Sequence, residues 1–187
     1  MSHQRRIPLH WSTDGQYLYY IHNGSGDGCG PELYGYDLYR LDLATGETVV
    51  IISKGHWFAI APDEQHVAYL LDGAVVVHSL ATGAETGAIL LIEPPLEFVN
   101  FTDLVWSPNR GALLIMASED VCATGSIQGG NYILRVDLPT FQQTVLIMDP
   151  QLWRIISWSE PGRALIKTGE GDFWLDTESG AMTEITE

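Results

Sequence analysis

The chain has 187 residues, enough for one domain with a substantial core, and 45% of them are hydrophobic against 18% charged. That balance excludes a disordered chain and favours a β-rich interior. The 24 acidic residues outnumber the 9 basic ones, leaving a formal net charge of −15. Because such a surface repels phosphate groups, we expect no nucleic acid and no anionic membrane as partner, whereas a basic protein, a cation or a neutral ligand stays open.

Neither a membrane span nor an export signal is predicted. No apolar run reaches the roughly 18 residues that a bilayer requires, and Met1 to Arg6 is polar with no hydrophobic stretch behind it. We therefore expect a soluble chain and assign it no compartment. Cys29 and Cys122 are too few for a disulfide framework and lack neighbours at metal-site spacing, so their redox state also stays open.

Four segments share one pattern, in which an aromatic or apolar strand ends in a tight turn and a second apolar strand follows. The anchor residues of this pattern lie 49, 46 and 52 residues apart; they are Trp11, Ile60, Trp106 and Trp158. Such a spacing is typical of a repeat of four strands.

The second half of each repeat also recurs, as a strand, a turn rich in Asp, Thr and Gly, and another strand. Its copies are Leu41 to Glu47, His78 to Ala84, Leu175 to Gly180 and, in degenerate form, Val136 to Thr140. No segment has the 3.6-residue period and the length of a stable helix. We therefore predict an all-β chain with strands a to d in each of four repeats, at about residues 7–53, 54–91, 92–149 and 150–187.

The Trp-Ser-x-Asp-Gly hairpin, and the Leu-Asp-Leu-x-Thr-Gly-Glu run before the last strand, resemble the repeat of the TolB-like propellers, also called the WD40-like PD40 repeat. The resemblance covers nearly the whole chain and implies a single β-propeller domain, residues 1–187, of four four-stranded blades. Departures are Ile60 in place of Trp, and Glu64, Arg110 and Glu160-Pro161 in the turns. The repeat specifies a blade rather than a chemistry, because such blades occur in translocation-associated proteins, peptidases and polysaccharide lyases.

A row of four blades raises the question of what covers its two outermost apolar faces. The chain could close on itself as a ring, pair with a second copy into a larger dimeric ring, or be half of a longer propeller. Each repeat runs from strand a to strand d without strand exchange between first and last blades. This favours a homodimer or a fragment over a self-closed monomer.

Long and short b–c connections alternate along the chain. Repeats one and three carry Gly-rich insertions, Asn23 to Gly35 and Ser118 to Asn131, whereas repeats two and four turn tightly at Asp72-Gly73 and Gly169 to Gly171. In a propeller these loops emerge on the same face as the d–a connections. Loops with extra length on a rigid scaffold are typical binding surfaces.

The first residues of the innermost strands supply the candidate ligand-binding side chains, which are His56, Trp57, Asp103, Trp153 and Arg154. Exposed tryptophans beside a His, an Asp and an Arg would suit a sugar, a peptide or a protein segment. The alternative is that both tryptophans only pack between blades.

No catalytic, cofactor or metal site is predicted. Asn23 to Gly28 begins like a calcium loop, but the twelfth position is Tyr34 instead of a bidentate Glu. Gly24-Ser25-Gly26 lacks the spacing of a nucleophile elbow. We favour a non-enzymatic binding or scaffold propeller that engages a protein or peptide, for which the charge leaves a basic partner as one of the options. The alternative is a propeller domain or fragment of an enzyme, a prolyl oligopeptidase-like peptidase or a carbohydrate-active protein, whose catalytic part is absent.

Overall fold

A computed structural model describes residues 6–22, 37–90, 99–119 and 130–185. Within those ranges the chain forms sixteen strands and no helix, arranged in four antiparallel sheets of four consecutive strands. This confirms the all-β prediction and the count of four strands in each of four repeats. Across the described ranges no helix is long and apolar enough to cross a membrane.

The chain divides into two compact units, and the first, Met1–Ile89, holds two of the sheets. The first sheet contains β1 (Arg6–Trp11), β2 (Tyr17–His22), β3 (Asp37–Asp42) and β4 (Thr48–Ser53). The second contains β5 (His56–Ile60), β6 (His66–Leu71), β7 (Ala74–Ser79) and β8 (Glu85–Ile89). The core of this unit is formed by the buried side chains of Tyr19, Ile21, Leu38, Ile52, Val67 and Tyr69.

The second unit, Leu90–Glu187, holds the other two sheets. The third sheet contains β9 (Val99–Trp106), β10 (Ala112–Glu119), β11 (Asn131–Asp137) and β12 (Gln142–Met148). The fourth contains β13 (Leu152–Glu160), β14 (Arg163–Thr168), β15 (Asp172–Asp176) and β16 (Met182–Glu184). Its main core joins the two sheets through ten buried residues that include Leu114, Ile133, Leu152, Ile155 and Ile166. Each such fully buried aliphatic side chain contributes about 1.5–3 kcal/mol.

The turn between strands a and b explains the Ser and the Asp or Asn of the repeated pattern. In the first sheet the Ser12 hydroxyl donates to Asp14 Oδ1 at 2.6 Å and accepts from the Tyr17 amide at 2.8 Å. In the third sheet Ser107 and Asn109 form the same arrangement. The short polar side chains thus satisfy backbone groups that the turn leaves unpaired.

The turn between strands c and d rests on an Asp carboxylate. Asp42 Oδ1 accepts from the Ala44 and Thr45 amides, both at 2.9 Å. Asp176 does the same for Glu178 and Ser179. The glycine that follows each turn has a φ near +75°, a conformation in which a Cβ atom would be strained.

Candidate functional site

Each innermost strand contains an irregularity in its pairing with the next strand. The register shifts fall between Pro8 and His10, between His56 and Ala59, between Phe101 and Asp103, and between Leu152 and Arg154. A bulged residue leaves the hydrogen-bonded ladder, and its side chain is turned away from the regular alternation. The bulges therefore lie at or beside all five residues predicted to bind a ligand.

Asp103 carries the charge of this region that is most shielded from water. Its side chain is only 15% exposed, and Oδ2 accepts a hydrogen bond of 2.9 Å from the Ile155 amide on the neighbouring innermost strand. Burial raises the pKa of the carboxyl from 3.8 to about 6, although the Ile155 amide and the Arg154 guanidinium both favour the charged form. Near neutral pH the carboxyl is therefore ionised at a cost in desolvation, and it takes up a proton when the pH falls below about 6.

Arg154 and Trp153 lie on β13 beside this carboxyl, and both are exposed. Arg154 Nη2 is 3.9 Å from Asp103 Oδ1, and its side chain is 61% exposed, so water screens most of this attraction. Trp153 is the bulged residue between Leu152 and Arg154, and it is 60% exposed. We call Asp103, Trp153 and Arg154 the β9–β13 patch.

Three further residues position this patch, and none of them was among the predicted site residues. The Gly169 amide donates to the Gln151 carbonyl at 2.8 Å, which holds the β14–β15 turn against the beginning of β13. A Cβ atom on Gly169 would collide with Gln151 Oε1 and lie 3.7 Å from Trp153 Nε1. Asn131 Nδ2 donates to the Leu152 carbonyl at 2.6 Å. The exposed indole of Trp153 therefore lies on a strand that these hydrogen bonds hold in place.

His56 and Trp57 lie together at the beginning of β5, in the first unit. Burial lowers the pKa of His56 below 6.5, and the charge of Asp72 opposes this effect. Trp57 has a φ of 53°, which is rare for a bulky side chain and marks the bulge of this strand. These two residues form a second group, separate in the chain from the β9–β13 patch, and each group is described within its own unit.

The two predicted insertions lie mainly outside the described residues. Residues 23–36 and 120–129, with Cys29, Cys122 and the calcium-like stretch, fall there. The strands before them are described: His22 pairs with Arg6, and Glu119 pairs with Val99. The strands β2 and β10 therefore both end beside the beginning of the innermost strand of their sheet.

Metal ligation is not indicated in the described part of the chain. No group of three or more His, Cys, Asp or Glu side chains there could hold a metal ion.

The turns at Asp72-Gly73 and at Gly169–Gly171 are short, as predicted; Asp72 and Gly73 have φ angles of 48° and 76°, typical of a two-residue hairpin turn.

No protein-family model and no curated protein matches the chain. Solved structures do resemble it. An oligogalacturonate lyase in complex with manganese superimposes with a TM-score of 0.69 and 17% identity, over 94% of this chain and 50% of that one. The oligogalacturonate lyase of Vibrio parahaemolyticus superimposes with a TM-score of 0.69 and 16% identity, over 97% of this chain and 54% of that one. The acylaminoacyl peptidase of Pyrococcus horikoshii superimposes with a TM-score of 0.63 and 9% identity, over 98% of this chain and 33% of that one.

These similarities define the fold and leave the chemistry open. The chain spans about half the length of the two lyases and a third of the peptidase. At such low identity the likeness carries over architecture alone. The four sheets are four-stranded blades of the β-propeller type, and the fold of this chain is that of a β-propeller.

Proposed function

We propose that the chain is a non-enzymatic binding propeller that engages a protein or peptide segment through the β9–β13 patch. The observation that carries this proposal is the exposed indole of Trp153, which stands on a braced bulge beside a buried carboxyl. Aromatic and Arg side chains supply most of the energy in protein interfaces when a partner covers them. His56 and Trp57 are proposed as a second contact group in the first unit.

The charges of the patch favour a partner with a basic or neutral segment. Asp103 accepts one backbone hydrogen bond and has only a weakly placed cation nearby. A Lys or Arg of the partner would stabilise the ionised carboxyl and lower its pKa. The net charge of −15 would add long-range attraction for such a partner and oppose nucleic acids.

We also propose that a second copy completes the assembly, because apolar side chains remain exposed on the first sheet. The pairing register places Trp11 and Val50 on one face, with Tyr20 and Tyr39 between them. Trp11 is 58% exposed and Val50 51%. Packing this face against the last blade of another copy would remove it from water and close a larger ring. The TolB-like assignment of the blades is part of the same proposal.

A second candidate function is that of a propeller domain belonging to an enzyme. It is favoured by the lyase and peptidase neighbours, of which this chain covers only a half or a third. The complete gene would distinguish the two candidates. A catalytic domain adjoining these blades would favour the enzyme, and the patch would then be a site for substrate or for the partner domain.

Selection from a phage-displayed library of random linear peptides tests the binding proposal. The selected peptides should lose about 2 kcal/mol of affinity, roughly thirtyfold in Kd, when Trp153→Ala removes the indole. Val145→Ala is the control, because Val145 is also exposed, at 48%, but lies on β12, outside the patch and outside the apolar face of the first sheet. It should leave the affinity unchanged.

Thermal unfolding of the same variants separates binding from packing. Trp153 is mostly exposed, so its truncation should change stability by no more than about 0.5 kcal/mol. Peptides that bind the Trp153→Ala variant as tightly as the wild type would refute the patch. So would a loss of affinity that only follows a loss of folded protein.

A further inference from the structure

The carboxylate of Asp103 has one oxygen that the fold uses only weakly. Its Oδ2 accepts the hydrogen bond from the Ile155 amide. Its Oδ1 lies 3.9 Å from Nη2 of Arg154, which is beyond hydrogen-bond distance. In the described part of the chain, the Ile155 amide and the Arg154 guanidinium are the two groups that favour the ionised carboxyl. Oδ1 is therefore the oxygen that remains for a ligand.

This carboxyl is shielded from most water but can still be reached. The side chain of Asp103 is 15% exposed, and the guanidinium beside it lies mostly in solvent. The amide and the guanidinium do not compensate for the lost hydration, because the pKa of the carboxyl is still raised to about 6. A cation placed against Oδ1 would supply the missing compensation.

Arg154 is poorly suited to that position. A guanidinium pairs best with a carboxylate when two parallel N–H groups meet both oxygens, and the Ile155 amide already occupies Oδ2. Lys167 lies opposite Arg154 on β14, one strand further from Asp103. On β10 the residue opposite Asp103 is Met116, which has no charge. The pair of Asp103 and Arg154 is thus long and water-screened, and little energy is needed to separate it.

A single ammonium group meets the requirements of this site. It is a compact charge that can donate to one oxygen, and it does not need the paired geometry of a guanidinium. We propose that Oδ1 of Asp103 binds the ammonium group of a partner's lysine, and that Arg154 is an internal competitor which the lysine displaces into solvent. Lysine recognition of this kind rests on the proposed binding function. It adds the residue type that is recognised and the side chain that limits its affinity.

Two short peptides test this recognition, namely acetyl-Gly-Lys-Gly-amide and the same peptide with Nε-acetyllysine, which has no charge. The ¹⁵N signal of the Ile155 amide in the full chain is the reporter, because this amide donates to the same carboxylate. At pH 7.5 the lysine peptide should shift this signal in a saturable way, and the acetylated peptide should not. At pH 5 only about a tenth of the carboxyl is ionised, so the dissociation constant should rise about tenfold.

Three variants separate the roles of these side chains. Asp103→Asn keeps an oxygen for the Ile155 amide and should abolish the response to the lysine peptide. Arg154→Gln removes the competitor and should tighten lysine binding at pH 7.5 by up to about fivefold, the upper range for an exposed ion pair. Glu184→Gln is the control, because it removes an equal charge at an exposed position on β16 of the same unit. It should leave binding unchanged.

Three results would overturn the proposal. An Ile155 signal that the lysine peptide leaves in place would show that Oδ1 is not a cation site. Lysine binding that persists in Asp103→Asn, or is as tight at pH 5 as at pH 7.5, would come from the general negative charge of the chain. Weaker binding by Arg154→Gln would make Arg154 a contact of the partner instead of a competitor.

The outcome can be told apart from that of the binding proposal. Library peptides that lose affinity in Trp153→Ala, together with an Ile155 signal that ignores lysine, would keep the β9–β13 patch and reject lysine recognition. A lysine response that depends on Asp103, together with library peptides that bind Trp153→Ala as tightly as wild type, would instead reject the indole as the anchor.

Discussion

The largely buried carboxyl of Asp103 should contribute less to the stability of the folded chain at neutral pH than at mildly acidic pH. Its pKa is about 6 in the folded chain, against 3.8 for an exposed Asp. The folded state therefore binds the proton more tightly than the unfolded state between these two values. The contribution of this carboxyl to the free energy of unfolding should fall as the pH rises from about 4 to about 6 and lose nothing more above that range.

The magnitude follows from the size of the pKa shift. Each pKa unit corresponds to about 1.36 kcal/mol, so a gap of roughly two units is worth about 3 kcal/mol. Asp103→Asn removes the charge, and its side-chain oxygen can still accept from the Ile155 amide. The variant should be more stable than wild type by up to about 3 kcal/mol at pH 7, and by only about 0.6 kcal/mol at pH 4.

Urea unfolding of both proteins at unit steps from pH 4 to pH 8 measures this difference. Asp172→Asn is the control, because Asp172 is exposed on β15 of the same unit. The free energy of unfolding of this control should differ from that of wild type by the same amount at every pH. A difference for Asp103→Asn that is flat with pH, or a wild type more stable than the variant at pH 7, would refute the reasoning. The Arg154 ion pair would then outweigh the cost of burial.

Three other outcomes are expected. Light scattering should give a particle of about twice 20.7 kDa; a monodisperse monomer would reject dimeric closure. Cys29 and Cys122 should react independently with a thiol reagent in the folded chain, whereas a disulfide between them would show that the two insertions meet. Gly55→Ala should destabilise the first unit by about 1–3 kcal/mol in thermal unfolding, because its Cβ atom would lie 2.6 Å from the buried Tyr69 ring; an unchanged melting temperature would contradict this packing.

The strands were predictable because the hydrogen bonds that hold each turn join residues close together in the sequence. Ser12 with Asp14, and Asp42 with the amides that follow it, are hydrogen-bonded within a few residues of each other. Such contacts depend on sequence spacing alone. The period of the anchors then gives the number of sheets, and this part of the prediction is confirmed.

The details of the patch were not predictable because they depend on irregular pairing. The bulge at Trp153 leaves no mark in the sequence, since an exposed bulged tryptophan and a buried paired one occupy the same position in the pattern. The sequence suggested Asp103 as a site residue. Its burial and its hydrogen bond to the Ile155 amide were not predictable, because the two residues are 52 positions apart in the chain.

Hydrogen exchange with a selected peptide tests the binding proposal most directly. Saturating peptide should slow exchange in the segments of the second unit that carry Asp103 and Trp153-Arg154, and in the insertion at residues 118–131. The a–b turns at Asp14-Gly15 and Asn109-Arg110, at the other end of the strands, should exchange as in the free chain. Protection of those turns, with none around Asp103 and Trp153, would contradict the account and place the partner at the opposite end of the blades.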